Sequence, residues 1–314
     1  MIHLQRLHNS KQHNAEPFLL HDKIATSGNG YVAKIITELR NSCSIATSNG
    51  LSLELLYAIH LESAIAKIPC WKLIANTTIE ILDMLDEDLN QFNILEACQK
   101  TPHFGLMSGI EFMLKYGRDF PEAMQNIIVP KIMNLCYKAT KYAEPVVNSS
   151  SPEGFLPDIK DDFLANIGTK SDSTETAKAL LVMCWRMMKA SATILGSLGD
   201  IFEISLEQFR ELGIHFTNQL TKARHRGAFE LAALGFKNLC IQTKKSDSAE
   251  INGLMETWLE DAFLFFHDQS RMTELCNTRR SAGLPYLFCS IACADSATSR
   301  SKDLMKEGFF KRQY

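Results

Sequence analysis

Apolar residues recur at intervals of three or four along most of this chain, whereas the alternating pattern typical of β-strands is nearly absent. Such spacing places the apolar side chains on one face of an α-helix. In the first half the apolar segments are Val32–Leu39, Leu55–Ile65, Leu73–Leu85, Phe92–Cys98, Leu106–Leu114 and Ile127–Cys136. In the second half they are Ala177–Leu195, Phe209–Leu220, Phe229–Cys240, Leu254–Phe266 and Leu284–Ile291. We therefore predict an all-α fold.

Short turn signals separate several of these segments, namely Ser48-Asn49-Gly50, Ile68-Pro69 and Thr101-Pro102. Connections this short make consecutive helices antiparallel neighbours. A succession of helix pairs without a sheet predicts an α-solenoid of HEAT-like or armadillo-like repeats. A non-repeating helical bundle is the alternative, because the similarity between segments is too weak to define a period.

A polar stretch over 145–175 is rich in Ser, Pro, Gly, Asp and Lys. Such a composition cannot supply a core and predicts a long loop. We therefore expect helical repeats over 1–144, a long polar loop over 145–175 and helical repeats over 176–314. The loop ends in Asp172-Ser173-Thr174-Glu175, which is a capping signal for the following helix.

Composition restricts the function. The formal net charge of −3 argues against a uniformly basic nucleic-acid binder, so any RNA contact requires a local patch or a more basic partner. The nine cysteines are scattered without a CxxC pair, and we expect them to be reduced and mostly buried. No signal peptide and no apolar stretch of membrane-spanning length is expected, so we predict a soluble cytoplasmic protein without a membrane span.

Two adjacent arginines, Arg279 and Arg280, directly precede a predicted helix start. Ser281 is suited to cap that helix, Gly283 to leave its backbone uncovered and Pro285 to occupy its first turn. A helix N-terminus next to guanidinium groups attracts phosphate or carboxylate. The predicted tRNA-binding or partner-binding residues are Arg279, Arg280, Ser281, Ala282, Gly283, Leu284 and Pro285, together with Arg224, His225 and Arg226.

Helix direction adds a second prediction about these cations. If consecutive helices alternate in direction, the helices that start near residues 177, 228 and 284 begin at the same edge. The segments that lead into them are Lys170, Lys222-Ala223-Arg224-His225-Arg226-Gly227 and Arg279-Arg280. Neighbouring helices pack about 8–10 Å apart. Up to four arginines are therefore predicted to gather on one rim.

A structural role is the alternative for these arginines. Arg279 and Arg280 would then cap helix C-termini and pair with carboxylates, for which the candidates are Glu230, Glu256 and Glu260. Arg226 would pair with Glu230, which follows four residues later on the same predicted helix.

Other residues favour plain structural roles. Trp185 and Trp258 lie at helical spacing and are predicted to be core residues, because base stacking would need exposed rings. Cys289 and Cys293 lie four residues apart without a nearby histidine, so no metal site is predicted. Lys244-Lys245-Ser246-Asp247 is predicted to be a solvated loop.

Several motifs follow one another in an order typical of a known family. They are Cys184-Trp185-Arg186 with Lys189-Ala190-Ser191 and Leu195-Gly196, then Arg224-His225-Arg226-Gly227-Ala228-Phe229-Glu230, then Arg279-Arg280-Ser281-Ala282-Gly283-Leu284-Pro285, with Ser151-Pro152-Glu153-Gly154 as a less specific match. On these motifs the chain resembles the thyroid adenoma-associated protein homologues, whose fungal members are non-catalytic subunits of a tRNA ribose methyltransferase. The resemblance is carried by the C-terminal half.

The resemblance implies a helical repeat protein that partners the catalytic subunit of a tRNA methyltransferase. The pair would methylate the 2′-oxygen of the ribose at position 32 in the tRNA anticodon loop, and Arg280–Pro285 would be the functional signature. S-adenosylmethionine would bind the catalytic partner, and no cofactor or catalytic residue is predicted in this chain. Members of the family are several-fold longer than this chain. A helical-repeat scaffold that binds proteins without an RNA role is the alternative function.

Overall fold

The computed structural model describes residues 30–116, 120–147, 172–222, 226–267 and 283–294, and within these ranges it contains helices and connecting turns but no strand. The helices are α1 (Gly30–Arg40), α2 (Ile45–Ala66), α3 (Cys70–Gln91), α4 (Ile94–Lys100), α5 (Phe104–Tyr116), α6 (Glu122–Val147), α7 (Asp172–Ile201), α8 (Leu206–Lys222), α9 (Arg226–Lys245), α10 (Ala249–Asn252), α11 (Leu254–His267) and α12 (Gly283–Ala294). The predicted all-α class is confirmed.

Local sequence signals set several helix ends. Ser44 caps α2 by accepting a hydrogen bond from the backbone N–H of Thr47. The helix ends at Lys67, which adopts a left-handed conformation with φ of 55°. The predicted turns at Ile68-Pro69 and Thr101-Pro102 both lie between helices and are confirmed.

The turn predicted at Ser48-Asn49-Gly50 is wrong, because these residues lie inside α2. The buried hydroxyls of this helix bond to its own backbone: Ser48 donates to Ser44 O at 2.9 Å and Ser52 donates to Ser48 O at 2.7 Å. These small, internally satisfied side chains allow α2 to lie close to α5. Packing against α5 therefore outweighs the local turn preference.

The helices pack in two rows. In the first row α2, α5, α7, α9 and α12 each pack against the next helix. In the second row α3 packs against α6, and α6 contacts α8 through Tyr137 and His215, whose ring centroids lie 4.6 Å apart. Gly213 of α8 in turn packs on Trp258 of α11. The core lies between the two rows.

The predicted apolar faces form this core. All four predicted positions of α8 are buried, namely Phe209, Leu212, Phe216 and Leu220. Trp258 is buried as predicted and lies 5.4 Å from the ring of Phe236. Trp185 is only half-buried, and the ammonium of Lys189 lies 5.8 Å from its ring. The core prediction for the two tryptophans is therefore fully confirmed for Trp258 alone.

Two further predictions need correction. Lys244 and Lys245 are not in a loop but form the last turn of α9, where cationic side chains interact favourably with the helix dipole. Cysteine burial also differs from expectation: Cys136, Cys184 and Cys240 are buried, whereas Cys43, Cys289 and Cys293 are exposed. All cysteines within the described ranges are free.

Helix α7 is the longest described helix, with 30 residues. It begins at the predicted capping signal, and α6 ends at Val147, so most of the predicted polar loop lies outside the described residues. Within α7, Thr176–Ile201 is long and apolar enough to cross a membrane by length and composition. The prediction that no stretch has this length is therefore wrong. Most of this stretch is buried among neighbouring helices, which equally fits the core helix of a globular protein.

Candidate anion-binding edge

The structure places only part of the predicted binding residues. Gly283, Leu284 and Pro285 form the first turn of α12, and Arg226 is the first residue of α9, with its side chain outside the described part. The remaining predicted residues, Arg224, His225, Arg279, Arg280, Ser281 and Ala282, lie outside the described residues.

Gly283 has a packing role in the structure. A Cβ atom at this position would lie only 1.9 Å from the carbonyl oxygen of Leu220, near the end of α8. The backbone of α12 therefore contacts the backbone of α8 directly, and only glycine permits this approach. The uncovered backbone predicted at Gly283 is not observed, because α8 buries it. Pro285 lies in the first turn as predicted and is exposed.

Helices α9 and α12 run in the same direction and begin at the same level. Phe229 and Tyr286, each the fourth residue of its helix, lie 5.3 Å apart between ring centroids. One turn further on, the hydroxyl of Ser290 donates to Ala233 O at 3.0 Å. The Tyr286 hydroxyl also donates to the carboxylate of Glu230 at 3.3 Å. The predicted common edge is therefore observed for these two helices.

Helix α7 runs parallel to α9 but starts much earlier. A Cβ on Gly196 would lie 2.6 Å from the Cα of Gly235, so the two backbones touch there. This register places Met187 of α7 level with Arg226, the start of α9. The first residue of α7, Asp172, lies about 15 residues before Met187, or roughly 22 Å along the helix axis. Lys170, which leads into α7, lies outside the described residues.

Helices α5 and α2 begin at the same level. Phe104 is the first residue of α5, and its ring lies 4.6 Å below the guanidinium of Arg186 in α7. Arg186 Nη1 also donates to the carbonyl of Cys43, just before α2, at 3.0 Å. Ser108 and Asn49, each the fifth residue of its helix, are also bonded, with Ser108 donating to Asn49 Oδ1 at 3.3 Å, so α2 and α5 run in the same direction.

We name this feature the helix-start edge: the first residues of α2, α5, α9 and α12, which are Ile45, Phe104, Arg226 and Gly283, together with Arg186 of α7. Each helix N-terminus carries a partial positive charge and backbone N–H groups without partners inside the helix. The start of α2 is exposed and Gly227 of α9 is half-buried, whereas Phe104 and Gly283 are buried, so an anion at this edge would meet mainly the exposed ends and the guanidinium of Arg186. Sequence reasoning missed the position of Arg186, because the register of α7 against its neighbours cannot be read from spacing.

The described residues contain no group of three or more His, Cys, Asp or Glu side chains placed to hold a metal ion. Burial lowers the pKa of His103 and of His215 to about 4 in each case, so both imidazoles are neutral at physiological pH. His215 lies 2.9 Å from the side-chain amide nitrogen of Gln219, inside the core. These histidines are therefore structural in the described part of the chain.

Fold and edge together define an all-helical protein with a candidate surface for anions. The family model described as THADA/TRM732, DUF2428 matches residues 127–312, more than half of the chain, and the chain belongs to this family. The resemblance seen in the sequence motifs is confirmed. The match covers α6 to α12 and includes every predicted binding residue.

Relatives with the name tRNA (32-2'-O)-methyltransferase regulator match the chain. The Drosophila melanogaster regulator THADA is 30% identical over 236 residues, which is 64% of this chain and 14% of that protein. The Homo sapiens regulator THADA is 26% identical over 294 residues, which cover 72% of this chain and 15% of that protein. The Schizosaccharomyces pombe regulator trm732 is 24% identical over 235 residues, which cover 70% of this chain and 15% of that protein. The chain thus spans about one seventh of the length of these relatives. No solved structure matches it.

Proposed function

We propose that this chain is a non-catalytic regulatory subunit of a cytoplasmic tRNA methyltransferase complex. It binds the catalytic subunit, and the complex methylates the ribose 2′-oxygen at position 32 of the tRNA anticodon loop. S-adenosylmethionine and the catalytic groups belong to the partner. The names of the relatives support this role, as does the match of the family over α6 to α12.

In this proposal the helix-start edge contacts the tRNA anticodon arm. The observation that carries it is the common level of four helix N-termini, two of which, α9 and α12, begin within the arginine-containing motifs of the family. Contacts to phosphates fix the orientation of a nucleic acid without reading its sequence. An adaptor that presents the anticodon loop to a separate enzyme needs this kind of contact.

The proposal includes an α-solenoid of HEAT-like or armadillo-like repeats as the architecture. Its support is the two-row packing, with α2, α5, α7, α9 and α12 parallel to one another in the first row. Such a stack offers long faces and edges to other macromolecules. The methyltransferase would bind along the stack.

The test is the double variant Arg279→Ala/Arg280→Ala in cells that depend on this protein. We expect loss of ribose methylation at position 32 with normal folding, measured by mass spectrometry of tRNA. Arg210→Ala is the matched control, because this exposed arginine lies near the start of α8, at the opposite end from the edge, and pairs with the exposed Glu207 at 3.5 Å. In cells with the Arg210→Ala variant, ribose methylation of the tRNA at position 32 should be unchanged.

A second measurement separates this role from that of a protein-binding scaffold. The affinity of the purified complex for tRNA should fall steeply with added salt, because phosphate neutralisation releases counterions. A folded double variant with full methylation would refute the proposed role of the edge. A complex that binds the methyltransferase but no tRNA would favour the scaffold.

A further inference from the structure

A small surface pocket lies beside the helix-start edge, between α2, α5 and α7. Its volume is about 70 Å³, which suits a single small polar group. Its lining combines the polar and charged residues Asn49, Ser108, Glu111, Arg186 and Lys189 with the apolar residues Ile45, Phe104 and Ala190. Arg186 and Lys189 belong to the family motifs, and the proposed function gives them no role so far.

Arg186 is held rigidly in this pocket but is incompletely paired. Its guanidinium stacks on Phe104 at 4.6 Å, and its Nη1 donates to Cys43 O at 3.0 Å. Its Nε is buried without a hydrogen-bond acceptor, and no carboxylate oxygen of the described residues lies within 4.0 Å of the guanidinium. The guanidinium charge is therefore not neutralised by a carboxylate of the described part, and a charge-assisted hydrogen bond from its remaining N–H groups would stabilise an incoming oxyanion.

The two cations that line the pocket, Arg186 and Lys189, outnumber its one carboxylate, Glu111, and leave a net positive formal charge. Lys189 is exposed and lies one helical turn after Arg186. Glu111 is the one carboxylate that lines the pocket, and burial raises its pKa while Lys189 and Lys115 lower it. The N-termini of α2 and α5 add partial positive charge at the same end.

We propose that Arg186 and Lys189 bind a phosphate group of the RNA backbone in this pocket. This inference rests on the proposed function and extends the RNA contact from α9 and α12 across α7 towards α5 and α2. The pocket has room for one oxyanion and lies level with the starts of α9 and α12, where the proposed RNA contact begins. Neighbouring helices lie about 8–10 Å apart. One strand can therefore contact both places.

The test is binding of the full chain to a fluorescently labelled tRNA anticodon stem-loop, measured by anisotropy over a range of salt concentrations. We expect Arg186→Ala to weaken binding about tenfold, the effect of one charge-assisted hydrogen bond. The slope of log affinity against log salt should decrease by about 0.8, which corresponds to one lost phosphate contact. Lys189→Ala should weaken binding about threefold, within the range for an exposed charge pair.

Two further variants make the test specific. Glu111→Gln should strengthen binding, because it removes the one negative charge of the pocket. Lys72→Ala is the matched charge control: Lys72 is exposed and lies at the start of α3, which runs antiparallel to α2, so it is at the opposite end of the stack. The Lys72→Ala variant should bind the labelled stem-loop with the affinity of the wild type.

If Arg186→Ala destabilises the fold, the charge reversal Lys189→Glu provides the test, because Lys189 is exposed. We expect it to lower the affinity for the RNA more than tenfold. Folded Arg186→Ala and Lys189→Glu variants with wild-type RNA affinity would overturn the inference. The proposed function would stand in that case, provided that Arg279→Ala/Arg280→Ala still abolishes RNA binding. A loss of methyltransferase binding without a loss of RNA affinity would show that the pocket takes a partner carboxylate, and would also overturn it.

Discussion

Gly283→Ala tests the packing of the family motif directly. The added Cβ would lie 1.9 Å from Leu220 O, whereas heavy atoms in ordinary contact are about 3.5 Å apart. The obstacle is backbone, so α12 itself must move by roughly 1.5 Å. Overpacking of this kind costs about 1–3 kcal/mol, and the better helix propensity of alanine returns less than about 1 kcal/mol. We expect a net loss of about 1–2 kcal/mol in the free energy of unfolding.

The assay is urea denaturation monitored by circular dichroism, with Gly50→Ala as the matched control. Gly50 lies in the interior of α2, and a Cβ there would meet nothing within 4 Å. That variant should gain about 0.5–1 kcal/mol from helix propensity alone. Opposite signs for the two substitutions are the expected result. A Gly283→Ala protein as stable as the Gly50→Ala protein would refute the direct contact between α8 and α12.

Three further changes have defined outcomes. Arg40→Ala leaves Asp88, whose side chain is fully buried and bonded to Arg40 Nε at 2.9 Å, without its partner, and should destabilise the fold by about 3–5 kcal/mol. Gly196→Ala forces α7 away from α9 and should cost about 1–3 kcal/mol in urea denaturation. His103 and His215 have pKa values of about 4 in the folded state, so below pH 6.5 they are protonated in the unfolded state but remain neutral in the folded state. The free energy of unfolding should therefore fall by about 1.4 kcal/mol per pH unit for each histidine between pH 6.5 and pH 4.

Two of these expectations have matched controls. Lys131→Ala breaks an exposed pair with Asp83 and should cost less than about 1 kcal/mol, so an equal loss for Arg40→Ala would contradict the role of burial. For the pH dependence, the variant His103→Gln/His215→Gln should show a flatter stability curve between pH 6.5 and 5. An unchanged slope would assign the dependence to other groups.

The helices and their buried faces follow from the sequence, because the 3.6-residue period records which side of each helix meets the core. Phe216 and Phe236 illustrate this, since both are predicted from spacing and both are fully buried. The exceptions are residues whose local preference loses to tertiary packing. Ser48 and Gly50 favour a turn in isolation, but both lie inside α2, where Ser48 is buried and Gly50 is exposed.

The sequence predicted the directions of the helices that meet at the helix-start edge, but not how far α7 is offset along its axis. The starts of α9 and α12 lie together as predicted. The offset of α7 depends on where its backbone touches α9, at Gly196 and Gly235, and no spacing rule reveals that contact. Arg186 therefore reaches the edge from the middle of its helix, where sequence reasoning had no reason to place it.

The glycine contact between α7 and α9 also fixes a distance. Side chains in a core adjust by changing rotamers, but two touching backbones have no such freedom. Gln242 adds to this restraint, because its side-chain amide donates to Gly196 O at 2.8 Å and accepts from Gly199 N at 3.1 Å. The interval between the Cα of Arg186 on α7 and the first turn of α9 is consequently set by the main chain. Mutational drift among the surrounding apolar residues would leave that interval unchanged.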